Sequence, residues 1–172
     1  MVKSIDYEVV KKLDRVEIRS YPKVALARVD GYGDGGFNLL FKFISGANSQ
    51  RAKVAMTAPV ISEKIAMTAP VISGGGSIAF VMPESYTSET TPQPADDRVR
   101  IEEIPARYLA ALRFSGRWST HVFETKSKEM MGELQKAGIK SRGEVFSMRY
   151  NPPFTPWFMH RNEVAIEVEW QS

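Results

Sequence analysis

Two histidines, His121 and His160, eight methionines and no cysteine set the ligand and nucleophile chemistry open to this 172-residue chain. The missing thiol removes thiolate catalysis, iron–sulfur clusters, thiolate zinc sites and disulfide frameworks together, and fits a reducing compartment. Metal ligation would draw on imidazole nitrogens or thioethers. His121 and Glu124 can face each other at helical spacing, but a metal site needs more ligands than that pair supplies. There is no Gly-x-Ser-x-Gly elbow, and the scattered carboxylates suggest no specific acid–base pair. Met56, Met67, Met130 and Met131 read as adaptable core filling. Gly31-Tyr32-Gly33-Asp34-Gly35-Gly36 shares only glycine content with a phosphate-binding loop, lacking both Gly-x-Gly-x-x-Gly and Gly-Lys-Ser/Thr, and reads as a flexible hinge. Near the C-terminus Phe154, Trp157 and Phe158 form either an exposed aromatic lip or the packing of a proline-rich loop.

Charge narrows the partners. The formal +3 comes from 23 basic and 20 acidic residues, mixed along the chain without a Lys/Arg block or a recognisable nucleic-acid module, so nucleic acid is not an expected partner. No apolar run approaches the roughly 20 residues of a membrane span. Met1 to Val10 carries Lys3, Asp6 and Glu8 inside a strand-like alternation and has no apolar core for a signal peptide. A cytoplasmic location is the expectation.

The elements that must position any site follow from periodicity and punctuation. Tyr7–Leu13, Val16–Tyr21 and Lys23–Gly31 read as strands, with Pro22 breaking the run. A helix from about Phe37 to Ala47 follows the glycines, and a strand from Ser77 to Met82 follows Gly74-Gly75-Gly76. Pro83–Asp97 reads as a surface loop. Beyond it lie strands at Val99–Ile104 and Arg107–Ser115. A helix then runs from a Ser119 or Thr120 cap to Ala137, closed by Gly138, and strands follow at Glu144–Tyr150 and Glu163–Trp170. With 43% hydrophobic residues the chain is the size of one domain over residues 1–172, with halves at about 1–83 and 98–172 joined by loop 84–97. Each half reads strand, helix, strand, strand. The expected class is α+β: pseudo-symmetric duplicated βαββ units forming a distorted antiparallel barrel flanked by two helices.

The two helices differ. Phe123, Met130, Leu134 and Ala137 make one narrow stripe on the second. On the first, Phe37, Leu40, Phe41 and Ile44 form one stripe and Leu39, Phe43 and Ala47 another beside it, an apolar arc of roughly 200°, about twice what a surface helix needs. Either sheet and loops bury both stripes, or one of them lines an apolar ligand groove. Next comes an octapeptide, Ala-Met-Thr-Ala-Pro-Val-Ile-Ser, at Ala55–Ser62 and again at Ala66–Ser73. Its alternation suits two strands turning at Ser62-Glu63-Lys64, with each proline at an edge, bulge or strand end. Two copies are too few for a solenoid.

Lys53-Val54-Ala55-Met56-Thr57-Ala58-Pro59-Val60 resembles the hallmark of the SOUL haem-binding protein family. Tyr7-Glu8-Val9-Val10 with Val16-Glu17-Ile18-Arg19-Ser20-Tyr21 is similar to the family's opening strands. Tyr150-Asn151-Pro152-Pro153 and Arg161-Asn162-Glu163-Val164 are similar to its closing loop and strand. The resemblance runs from about residue 7 to 170. It implies a pseudo-symmetric barrel and a tetrapyrrole held in an apolar groove beside the first helix, with Phe37, Leu40, Phe41, Ile44 and Met56 against the macrocycle and Pro153–Arg161 as an opposite wall.

The departures matter as much. The histidine that some members place in the second strand is Ser20 here, and the basic residues that others offer to the propionates align with about Asp34 and Thr155. Arg51, Lys53, Lys64 or Arg161 would substitute. Iron ligation falls to His121 or His160, of which His160 is preferred because it lies beside the implied groove, or to Met56 or Met159, with a solvated loop histidine as the alternative for His160. The expectation is non-catalytic binding of haem, or of metal-free porphyrin comparably, for buffering, transport or sensing. The alternatives are an effector-binding module for another amphipathic small molecule and a haem-modifying enzyme. The first octapeptide is the family's copy by its spacing from the helix; the second is the extra one.

Overall fold

A computed structural model describes residues 3–32, 35–63, 76–150 and 156–171. Among the described residues run ten strands and two α-helices: β1 (Lys3–Ser4), β2 (Glu8–Lys12), β3 (Val16–Tyr21), β4 (Val24–Val29), α1 (Gly35–Ile44), β5 (Thr57–Glu63), β6 (Ser77–Val81), β7 (Arg100–Ile104), β8 (Arg107–Phe114), α2 (Thr120–Ala137), β9 (Ser141–Arg149) and β10 (Asn162–Val168), with a short 3₁₀ helix at Trp157–Met159. The architecture is α+β and mostly antiparallel, as the periodicity implies.

The chain divides into two compact units, Met1–Ile5 with Lys23–Pro105, and Asp6–Pro22 with Ala106–Ser172. This differs from a split at loop 84–97, because β3 pairs along its whole length with β8 and carries the opening hairpin into the second unit. In the first unit the strand order is β5-β6-β4-β7, all antiparallel, with the two-residue β1 parallel to β5. In the second it is β9-β10-β8-β3-β2, again antiparallel. Each unit contains a strand, helix, strand, strand run whose three strands pair in the same order. Among the described residues neither strand set closes on itself.

Each helix covers its own sheet. In the first unit Leu40, Phe43 and Ile44 of α1 pack with Ala27, Val29, Phe80 and Val99, Leu40 being fully buried and Phe43 1% exposed. Burial of each such side chain contributes roughly 1.5–3 kcal/mol. Gly36 is what lets α1 approach: a Cβ there would lie 2.6 Å from Ile78 Cγ2 and 3.3 Å from Val29 Cβ. Gly35 and Gly36 are thus the helix's first residues and a contact point rather than part of a hinge; Gly33 and Asp34 lie outside the described residues.

In the second unit Met130 and Leu134 of α2 pack on Val16, Ile18, Leu112, Val164 and Ile166. The α2 ends carry the predicted caps: Ser119 accepts from the Val122 amide, and Gly138, at φ 69°, turns the chain out of the helix.

Two sequence readings fail locally. The first helix stops at Ile44, because Asn48 rather than a further turn caps the segment. Its buried amide donates to the carbonyls of Phe43 (2.9 Å) and Ala52 (2.8 Å) and accepts from the amides of Gln50 and Ala52. Ser62 and Glu63 do not turn but continue β5, pairing with Ile78 and Ser77. Of the edge, bulge or strand end expected at the proline, Pro59 sits at a register shift of the β5–β6 pairing between Thr57 and Val60. The second octapeptide copy lies outside the described residues.

Candidate functional site

The two stripes of α1 have different fates. Of the expected ligand-facing residues, Leu40 (0% exposed) and Ile44 (5%) belong to the core. The helix has its sheet-facing centre between the two stripes, which takes one side of each into the core and leaves the outer flanks. On one flank Phe37 is partly buried and Phe41 is 51% exposed. Their rings stack, 6.3 Å apart and 13° from parallel, and Phe37 meets Phe80 edge-on at 5.1 Å. The aromatic surface is therefore braced from beneath while its outer ring remains open. Met56 is partly buried against the same core cluster, and Lys53 is exposed.

The opposite flank of α1 borders a groove of about 610 Å³, lined by Leu39, Phe43, Ala47 and Val99 with Lys42 and Asp96–Arg98. That volume lies within the usual range for small-molecule sites, about 300–1,000 Å³. Periodicity flagged its apolar members as a stripe but could not supply the other wall, which comes from a loop some fifty residues away. Arg98 holds Asp96 through both side-chain and backbone hydrogen bonds, which depress the Asp96 carboxyl to about 2. Lys42, an exposed cation on the helix, was read from sequence only as part of its polar side.

The remaining candidates lie in the second unit. His160 is partly buried and makes contacts of its own. Phe158, one of the three expected lip residues, and the neighbouring Met159 are each 62% exposed at the 3₁₀ helix. His121 is exposed on α2, and no group of three His, Cys, Asp or Glu residues placed to hold a metal ion occurs among the described residues. Lys64, Phe154 and Thr155 lie outside them.

Arg161, offered above as a propionate partner, is engaged elsewhere. Its Nη2 donates to Tyr7 Oη at 2.8 Å and to Glu163 Oε2 at 3.3 Å, and its guanidinium lies 3.9 Å from the Tyr150 ring centroid. It belongs to a buried network that sequence reasoning missed. Arg19, 1% exposed, forks onto Glu163, 0% exposed, through Nη1–Oε1 at 2.8 Å and Nη2–Oε2 at 2.6 Å. Glu17 accepts from Nε and Nη2 of Arg19, Tyr21 Oη accepts from Nη1, and the guanidinium lies 4.3 Å from the Tyr7 ring centroid.

Burial works to raise the Glu163 carboxyl, but hydrogen bonding and charge from Arg19 prevail and hold it below the ordinary range. Burial and then the Glu163 charge drive the Tyr150 phenol far upward. Arg19 alternates with Val16 and Ile18, and Glu163 with Val164 and Ile166, so both lie on the sheet face away from the α2 core, where alternation predicts a solvated side chain. The signal was two opposite charges on the same face of strands sharing the partner β8. This charged network ties Tyr7, Tyr21 and Arg161 together around Arg19 and Glu163.

Comparison with known proteins agrees with the motifs. A curated relative, "Heme-binding protein 1" of Sus scrofa, is 26% identical over 133 residues, covering 74% of this chain but only 66% of that protein. Among solved structures, "a hydrolase from Listeria innocua" superposes with a TM-score of 0.63 at 11% identity, covering 93% of this chain and 94% of that one. The "EcmrR C-terminal domain" does so with a TM-score of 0.60 at 10% identity, covering 95% and 98%. At such identities these structures establish the fold alone. Residues 2–167 match the pattern described as SOUL heme-binding protein, and with that span the chain belongs to the SOUL family.

Proposed function

We propose that this protein binds haem or a related tetrapyrrole without acting on it, on the flank of α1 that carries Phe37 and Phe41. The observation that carries the reading is Phe41: a half-exposed aromatic ring, stacked on a second ring that the core fixes in place. A macrocycle presents a large apolar face, and burying it against such a surface releases roughly 25 cal/mol per Å² before association costs. Met56 adds a polarizable neighbour, and Lys53 is an exposed cation available to a carboxylate tail.

Apolar contact on this flank carries the binding, so metal-free porphyrin binds comparably. The family's pseudo-duplicated barrel is the corresponding reading of the shared strand order. The cysteine-free composition supports a cytoplasmic setting. Among the described residues no helix is long and apolar enough to cross a membrane.

A second reading has its own observation. The groove on the other flank of α1 combines an apolar floor with Lys42 and the Asp96–Arg98 pair, which suits an amphipathic small molecule and an effector-binding role. One titration separates the two. Haemin and metal-free porphyrin are added to the wild type, Phe41→Asp, Ala47→Trp and His160→Ala, following the Soret band. Loss of both tetrapyrroles in Phe41→Asp, with Ala47→Trp and His160→Ala binding normally, is the expected result. Loss in Ala47→Trp alone moves the ligand to the groove. If neither tetrapyrrole binds at micromolar protein, the reading fails. Consumption of haemin with a reductant would replace binding by catalysis.

A further inference from the structure

The groove on the Leu39 and Ala47 flank of α1 carries charges that select among amphipathic molecules. Four charged side chains line it, Lys42 and Arg98 against Asp96 and Asp97, so the lining is net neutral. Two of the four are spent on each other. Arg98 reaches Asp96 through Nε–Oδ1 at 2.9 Å and Nη2–Oδ2 at 2.6 Å, and its backbone amide donates to Oδ1 at 2.9 Å. The guanidinium also lies 5.3 Å from the Tyr32 ring centroid. This wall is anchored at both ends: the Ala95 amide donates to the Ala47 carbonyl at 3.1 Å, and the amide of Val99, 5% exposed, donates to the Asp96 carbonyl at 3.1 Å.

The other two charges are Lys42 on the helix and Asp97 on the loop. Both are exposed, and neither has a hydrogen bond or ion pair among the described residues. The Asp96 carboxyl is held down chiefly by its bonds from Arg98, but the Lys42 charge reaches it as well, which puts that cation at the groove. We propose that the groove is a second ligand site, separate from the tetrapyrrole flank, for a short apolar peptide with free amino and carboxyl termini.

Charge complementarity selects this occupant. A carboxylate ligand would satisfy Lys42 but bring like charge to Asp97, and a dicarboxylate such as haem would do so twice over; a cation reverses the fault. A zwitterion answers both charges and adds no net charge to a neutral groove. A short peptide of apolar residues has this composition, with an ammonium at one end, a carboxylate at the other and apolar side chains to cover Leu39, Phe43 and Val99. A volume of about 610 Å³ suits a molecule of that size better than a single amino acid. Occupancy of the groove rests on its being a small-molecule site and is independent of whether the Phe41 flank holds a tetrapyrrole.

Tri-leucine, its N-acetyl form, its C-terminal amide and the doubly blocked peptide are titrated into the full chain, following backbone amide NMR shifts. The free peptide is expected to bind tightest, with each block weakening binding about two- to fivefold, as for an exposed ion pair. Lys42→Gln should remove the effect of the amide but keep that of the acetyl group, Asp97→Asn the reverse, and Ala47→Trp should abolish binding. Phe41→Asp should leave peptide binding unchanged, so loss of the tetrapyrrole there and loss of the peptide in Ala47→Trp are read separately. Equal affinity for the free and doubly blocked peptides overturns the proposal, as does no binding of the free peptide at millimolar concentration or a peptide response lost in Phe41→Asp but kept in Ala47→Trp.

Discussion

The Arg19–Glu163 pair gives the sharpest test of the physical account of the second unit. Removing one partner of a buried ion pair leaves an uncompensated charge and costs roughly 3–5 kcal/mol, whereas removing both is close to neutral. The two single changes are not equivalent here. In Arg19→Leu the Glu163 carboxylate keeps Arg161 Nη2 at 3.3 Å, so the cost lies near the lower figure, about 3 kcal/mol. In Glu163→Leu two guanidinium groups lose their common partner. Arg19, its side chain 2% exposed, retains only Glu17 as a carboxylate partner, placing the cost near about 5 kcal/mol.

At roughly 2–4 °C per kcal/mol for a chain of this size, the midpoints fall by about 6–12 °C and 10–20 °C. The double variant Arg19→Leu/Glu163→Leu should return to within about 2 kcal/mol of the wild type, the remainder being the lost contact of Arg19 with the Tyr7 ring and the loss of Glu163 as a partner of Arg161. Acid supplies the second axis of the same experiment. The folded-state pKa of Glu163 is lowered, so its contribution is fully present above the unfolded value, about 4.3. That contribution is lost as the pH falls through the lower folded value. Wild-type stability should drop on acidification below about pH 5, and Glu163→Leu should show a shallower acid limb. Thermal and urea unfolding from pH 3 to 7 measure both effects. A double variant no more stable than Glu163→Leu alone would refute the reasoning, because the cost would then belong to packing rather than to a stranded charge.

Two further outcomes follow from single contacts. Gly36→Ala should destabilise by roughly 1–3 kcal/mol despite alanine's better helix propensity, because its Cβ would lie 2.6 Å from Ile78 Cγ2; urea unfolding measures it, and an unchanged midpoint would show that α1 has room to move off the sheet. Asp96 should titrate at about 2, depressed by its side-chain and backbone hydrogen bonds from Arg98. In Arg98→Gln it should return toward the ordinary carboxylate range, which a carboxyl-carbon NMR titration reads directly.

Local signals were strong where one stretch of chain decides its own structure. Ser119 and Gly138 bracket α2 because a cap needs only the side-chain oxygen or the positive φ at its own position. The alternation of Val16 to Tyr21 likewise places β3. What failed was decided by residues distant in sequence. Periodicity saw that α1 had two apolar stripes, but not that the sheet would take Leu40 and Ile44 from one and Phe43 from the other, leaving Phe41 open. The 3₁₀ turn and β1 are three and two residues long, shorter than any period can register. The opening hairpin was assigned to the first half because it comes first in sequence, whereas pairing with β8 governs where it packs.

The buried network belongs to the same category and explains why motif reading stopped short of it. Arg19 and Glu163 are 144 residues apart, and each taken alone sits on the polar side of its strand's alternation and looks like an ordinary solvated charge. Together they are a constraint: two charges that cannot remain buried unless β3 and β10 are both aligned to β8 in the observed register, since a one-residue slip of either strand would leave a charge without its partner.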